Sequence, residues 1–197
     1  MLSSAPAAEF HQDGYCVVPS FLSQDEVAAL LSEIETISTG ATLASHNNER
    51  MEMEPHQPPD GTKVRRIYEP CTYYPAFREL SESKKLLDAV EAVLGPNLTF
   101  HYSKINMKPP SIGSVVEWHQ DLAYYPLTNS DSLAVLFYLD AADSGNGCLQ
   151  VIPAIAAVPC WTTRATGTSR GESPKPSIKR RPWLSRRRPV RPSLCTA

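Results

Sequence analysis

No run in the 197 residues approaches the ~20 apolar side chains that crossing a bilayer requires, so no membrane span is expected. Cys-x-x-C pairs are also missing, and the five cysteines, at 16, 71, 148, 160 and 195, are odd in number. That pattern argues against a zinc knuckle or a disulfide framework and for reduced thiols in a cytoplasmic protein. The first residues lack a basic stretch followed by an apolar one, and Cys195-Thr196-Ala197 is not a peroxisomal address, which fits the same compartment. Histidine is scarce, and none of the five lies beyond His119. Acid is nearly missing from residues 154–197, where Glu172 stands alone against ten Lys and Arg, a net +9. Residues 1–153 are the reverse, with nine Lys and Arg against twenty Asp and Glu, a net −11. The basic part also holds six prolines and almost no apolar periodicity. Two units are therefore expected: a domain over 1–153 and a basic, Pro- and Arg-rich tail over 154–197 without a fold of its own.

The first unit carries ordinary globular patterning. Asp13-Gly14 marks a turn, and Tyr15-Cys16-Val17-Val18 reads as a short strand. Ser23 with Glu26 three residues on is a capping box, and Val27, Leu30, Leu31, Ile34 and Ile37 form one helical face after it. Residues 39–62 are polar and Pro-rich without a period, and read as a loop. A second helix is expected over 75–94, with Phe77, Leu80, Leu87, Val90 and Leu94 inward and Gly95-Pro96 ending it. Beyond it the period changes to that of strands, over 98–107, 115–119, 132–139 and 148–152. Helices followed by consecutive short strands indicate an α+β fold with an antiparallel sandwich or barrel.

Trp118-His119-Gln120-Asp121 carries the chemistry. On a strand, residues i and i+2 share a face, so His119 and Asp121 would aim an imidazole nitrogen and a carboxylate oxygen at one ion, with Gln120 facing away. Imidazole plus carboxylate, completed by one distant histidine, makes the facial triad of non-haem iron(II) oxygenases; it leaves three positions open for a bidentate keto acid and dioxygen. The same tripeptide at His11-Gln12-Asp13 precedes Gly14 in a turn, where Asp is expected for backbone reasons.

The surroundings of the second tripeptide resemble the phytanoyl-CoA dioxygenase family. The segment from Phe10 through Gly14 to Leu22 is similar to its N-terminal signature. Lys104 to Pro110, Trp118 to Asp121 with Tyr124-Tyr125, and Tyr138 to Leu149 leading into Pro153 resemble its metal segment and the turn after the next strand. The resemblance covers about residues 8–153. It implies N-terminal helices packed on a double-stranded β-helix (a jelly roll), iron(II), 2-oxoglutarate as co-substrate with dioxygen, and hydroxylation of a small or lipid-like organic substrate. It makes His119 and Asp121 metal ligands, Lys104, Arg65 and Gln120 candidate contacts of 2-oxoglutarate, and Tyr124 and Tyr125 candidate pocket residues.

After Pro153 the sequence leaves that pattern. The family would continue Gly-Ser-His and supply a distal histidine ligand and an arginine anchor; here Ala154-Ile155-Ala156-Ala157 comes next, with no later histidine. Displacing the codons so that each takes the last base of one residue and the first two of the next permits, from Ile155 onward, a His-Arg-Arg-Gly-Pro run like the family's own. A shifted reading frame would account together for the charge inversion, the lost periodicity and the missing ligand. The expected form is a β architecture incomplete at its C-terminal end, inactive as an oxygenase. Two other readings stand beside it: a catalytically dead homologue, and a nucleic-acid-binding protein acting through Lys179-Arg180-Arg181 and Arg186-Arg187-Arg188. A small-molecule partner is expected and nucleic acid is not; oligomeric state is left open.

Overall fold

Ser23 caps the helix whose face it announces. Its hydroxyl accepts from the Glu26 amide at 3.2 Å, while the Glu26 carboxylate accepts from the Ser23 amide at 2.7 Å, so two otherwise orphaned N–H groups are satisfied reciprocally. This computed structural model describes residues 4–124, 131–153 and 188–189. α1 (Ser4–Asp13) ends at Gly14, whose φ of 78° and hydrogen bond to the Phe10 carbonyl close the last turn in the left-handed conformation glycine tolerates. The next segment, Tyr15–Val18, joins no ladder among the described residues. α2 (Gln24–Ser38) buries Leu30 and Ile34, with Val27 and Ile37 packing beside them, as its spacing indicates.

A short α3 (Pro70–Tyr73) comes first, and the long helix expected over 75–94 is instead two pieces, α4 (Pro75–Ser81) and α5 (Lys84–Leu94). Ser83 breaks the run, because its hydroxyl accepts from the Leu86 amide and starts a new helix. The restart turns the face, so Leu86 is buried while Leu87 and Leu94, expected inward, are exposed. α1 packs on α5 and α2 on α4.

Against these helices lies one antiparallel sheet of β1 (Met51–Met53), β2 (Val64–Tyr68) and β3 (Lys104–Asn106), with β2 central. β1 arises inside the segment read as a loop. The alternation Met51-Glu52-Met53-Glu54 places both methionines in the core with Val64 and Ile67, joined by Leu22, Leu30, Ile34 and Phe77. Phe137 and Leu139 pack against the rim of that core, and Phe137 meets Phe21 at 5.8 Å between ring centres.

The later strands are shorter than their apolar pattern suggests. Of 98–107 only β3 pairs, and of 148–152 only β4 (Gln150–Val151), which pairs with β5 (Arg188–Pro189). Residues 115–119 and 132–139 form no strand and have no ladder partners among the described residues, and Val115 is 75% exposed. A strand is stabilised by its neighbour, and apolar alternation alone does not supply one. The observed architecture is thus α+β, helices on a small antiparallel sheet. Among the described residues no helix is long and apolar enough to cross a membrane.

Candidate metal centre

The sheet presents one apolar and one polar face. Glu52 lies opposite Arg66, and Tyr68 opposite Lys104, so these four side chains share the face turned away from the core. The ladder shifts register between Glu52 and Met53, leaving Arg65 as the extra residue of a bulge. Bulging re-aims a side chain, and both Arg65 and Arg66 reach one carboxylate: Glu52 accepts from Arg65 at 2.5 Å, from Arg66 at 3.2 Å and from the Tyr68 hydroxyl at 2.7 Å.

Partial burial pushes the Glu52 carboxyl up, but the Tyr68 hydroxyl and the two guanidinium groups outweigh it and hold it below its ordinary range. Burial and the same carboxylate push the Tyr68 phenol up. A carboxyl held low in the fold adds stability above its unfolded value, about 4.3, and that stability is lost as pH falls through the folded value. Glu52→Gln should therefore cost about 1 kcal/mol near neutrality and nothing once both forms are protonated. Urea titrations of both proteins between about pH 3 and pH 7 check this, and a gap independent of pH would contradict it.

His119 and Asp121 do come together, though not by strand alternation. Residues 113–120 are irregular and Asp121 opens a 3-10 turn over Asp121–Tyr124. His119 Nε2 stands 3.0 Å from Asp121 Oδ1, with the two side chains 34% and 49% exposed. The other ring nitrogen, Nδ1, is 2.7 Å from the Glu117 carbonyl, which can only accept, so Nδ1 carries the proton there. Nε2 then presents either a lone pair or a second proton toward the carboxylate, and a cation between the two groups answers the first case. Cis ligands each roughly 2.1 Å from an octahedral ion stand roughly 3.0 Å apart, the spacing seen here. A ligating histidine also characteristically donates its remote N–H to a carbonyl. Geometry and donor set therefore fit a divalent metal. Among the described residues no group of three or more His, Cys, Asp or Glu assembles to hold one.

Tyr124 stands beside the pair, its ring edge-on to His119 at 5.6 Å between centres, where a pocket residue is expected. Tyr125, its expected companion, lies outside the described residues. Gln120, between His119 and Asp121 in the chain, is half-buried. Lys104 is exposed on the polar face of β3, whereas Arg65 is committed to Glu52. Sequence reading missed Glu52 and Glu54, although the Met-Glu-Met-Glu alternation is itself a strand signal hidden within a polar stretch.

Fold and site together define an α+β protein with an exposed imidazole–carboxylate pair spaced for a divalent cation. The family model for phytanoyl-CoA dioxygenase matches residues 10–154. The chain belongs to that family, an enzyme family of dioxygenases. It is 38% identical over 145 residues to the probable alpha-ketoglutarate-dependent hypophosphite dioxygenase of Stutzerimonas stutzeri, covering 74% of this chain and 50% of that protein. It is 30% identical over 158 residues to the ectoine dioxygenase of Sphingopyxis alaskensis, covering 77% and 49%. The crystal structure of EctD from S. alaskensis with 2-oxoglutarate and 5-hydroxyectoine superposes with a TM-score of 0.53 at 29% identity, over 62% of this chain and 41% of that one. A second structure of the same protein, with bound Fe, matches equally. The chain spans about half the length of the curated relatives it matches.

Proposed function

We propose that residues 1–153 are the metal-binding half of an iron(II)- and 2-oxoglutarate-dependent dioxygenase of small molecules, built on the first part of a double-stranded β-helix. The observation that carries this reading is the 3.0 Å approach of His119 Nε2 to Asp121 Oδ1, with Nδ1 fixed by a carbonyl, in a chain of this family. His119 and Asp121 would hold the iron, which when bound with the keto acid activates dioxygen. Lys104 is the favoured cation for the 2-oxoglutarate carboxylates. Arg65 would have to leave Glu52 first, and Gln120 would contribute its amide from between the ligands. Tyr124 packs on the His119 ring and, with Tyr125, would line the substrate side. The names of the relatives span hypophosphite, methylphosphonate and ectoine, which favours a small polar substrate.

In the same reading, residues 154–197 are a basic segment translated from a shifted frame, within which Arg188–Pro189 pairs with β4. The family match stops at residue 154, where the charge inverts and apolar periodicity ends. The test of the metal assignment is anaerobic iron(II) titration of the full chain. His119→Ala and Asp121→Ala are each expected to weaken binding at least about a hundred-fold. Unchanged binding in both variants would overturn the assignment.

A further inference from the structure

Among the described residues the largest fully buried side chains are Ile67 and an acidic one, Glu54. A carboxyl group removed from water is costly unless both oxygens find donors. Here both donors come from one residue sixty positions away: Ser114 gives its backbone N–H to Oε1 at 3.2 Å and its hydroxyl to Oε2 at 2.7 Å. Glu54 itself is fixed in the backbone. Its amide donates to the Lys63 carbonyl at 2.9 Å, and its carbonyl accepts from the Gln57 side-chain amide at 2.9 Å, so it extends the β1–β2 pairing by one residue. The Ser114 carbonyl, in turn, accepts from Lys108 Nζ at 3.1 Å.

Ser114 begins the stretch that delivers the ligand pair, and the residues just beyond it are thinly packed. Val115, Val116 and Trp118 are all exposed. The stretch also lacks a strand partner among the described residues. A segment so placed is held by discrete tethers rather than by burial. Metal ligands, however, must be kept within about half an ångström of a working geometry by the groups behind them. A two-point acceptor fixes both the distance and the twist of the backbone at Ser114, which an apolar contact would not do. Five residues later the chain turns His119 toward Asp121.

We propose that Glu54 is a positioning residue: through its two hydrogen bonds to Ser114 it sets the path of residues 115–121 and thereby the approach of His119 to Asp121. This rests on the metal assignment above, but its test has an arm that needs no metal. Glu54→Gln keeps the size and one acceptor; Ser114→Ala removes one donor and keeps the amide; Ser114→Thr keeps both donors. In the full chain without metal, NMR backbone order parameters of residues 115–121 are expected to fall from the rigid range of about 0.85 toward about 0.6 in E54Q and S114A and to stay near wild type in S114T, while those of β1 and β2 are unchanged. Iron(II) affinity measured anaerobically should fall about ten-fold or more in the first two variants and recover in the third. Wild-type order parameters over 115–121 in both E54Q and S114A would overturn the proposal, as would a drop spread evenly over the sheet, since that marks a general stability role. If the wild-type chain binds no iron, the metal assignment fails, and the order parameters still decide whether Glu54 governs this segment.

Discussion

Given iron(II), ascorbate and 2-oxoglutarate, the 197-residue chain is expected to form no more succinate than its His119→Ala variant. A chain restored to the shifted frame after Pro153 should exceed it by at least about a hundred-fold. The argument is one of ligand count and orientation. His119 and Asp121 supply two donors, and among the described residues no group of three possible ligands forms. His11, His46, His56 and His101 all precede the pair, and nothing after His119 can coordinate through an imidazole. His101 is the remaining candidate by position, three residues before β3, but it assembles no three-ligand group with His119 and Asp121 among the described residues. Basic residues of 154–197 would attract a dicarboxylate, yet attraction without a fixed geometry does not orient it for reaction. Equal succinate formation by the two chains would overturn both the missing-ligand argument and the shifted-frame account.

Ile67→Ala is expected to remove about 2–5 kcal/mol of folding free energy, enough to leave much of a marginally stable domain unfolded at room temperature. Ile67 is 0% exposed at the centre of β2, the strand that both β1 and β3 require. It sits opposite Met51 on one side and Ile105 on the other, over Leu30, Ile34 and Phe77 from the helices. Truncation there leaves a cavity beneath the whole sheet, with no flexible neighbour from solvent to fill it. Val115→Ala, at a side chain 75% exposed, should stay within about 0.5 kcal/mol of wild type. Urea unfolding followed by circular dichroism compares them. An Ile67→Ala midpoint indistinguishable from wild type would mean that the sheet is not the stabilising centre of this fold.

α2 was legible because its signals are local. Ser23 and Glu26 are three residues apart, and the face of α2 repeats within a single segment, so chain neighbours suffice to specify both. The His119–Asp121 pair was legible for a similar reason: two residues apart, they meet where an irregular stretch enters a 3-10 turn as readily as they would on a strand. The strands read less well. Short apolar runs mark 115–119 and 132–139 as strand-like, but pairing depends on a partner that the segment's own composition does not encode, and β1 emerged instead from a stretch dominated by turn residues. Composition also revealed the change of character after Pro153, since charge and proline content need no contacts to be counted. The commitment of Arg65 to Glu52 depends on a bulge between two strands, and the burial of Glu54 depends on a serine sixty residues away. Both are matters of which backbone groups lie opposite one another, and hydrogen-bond partners distant in the chain are chosen only when the folded sheet brings them within about 3 Å.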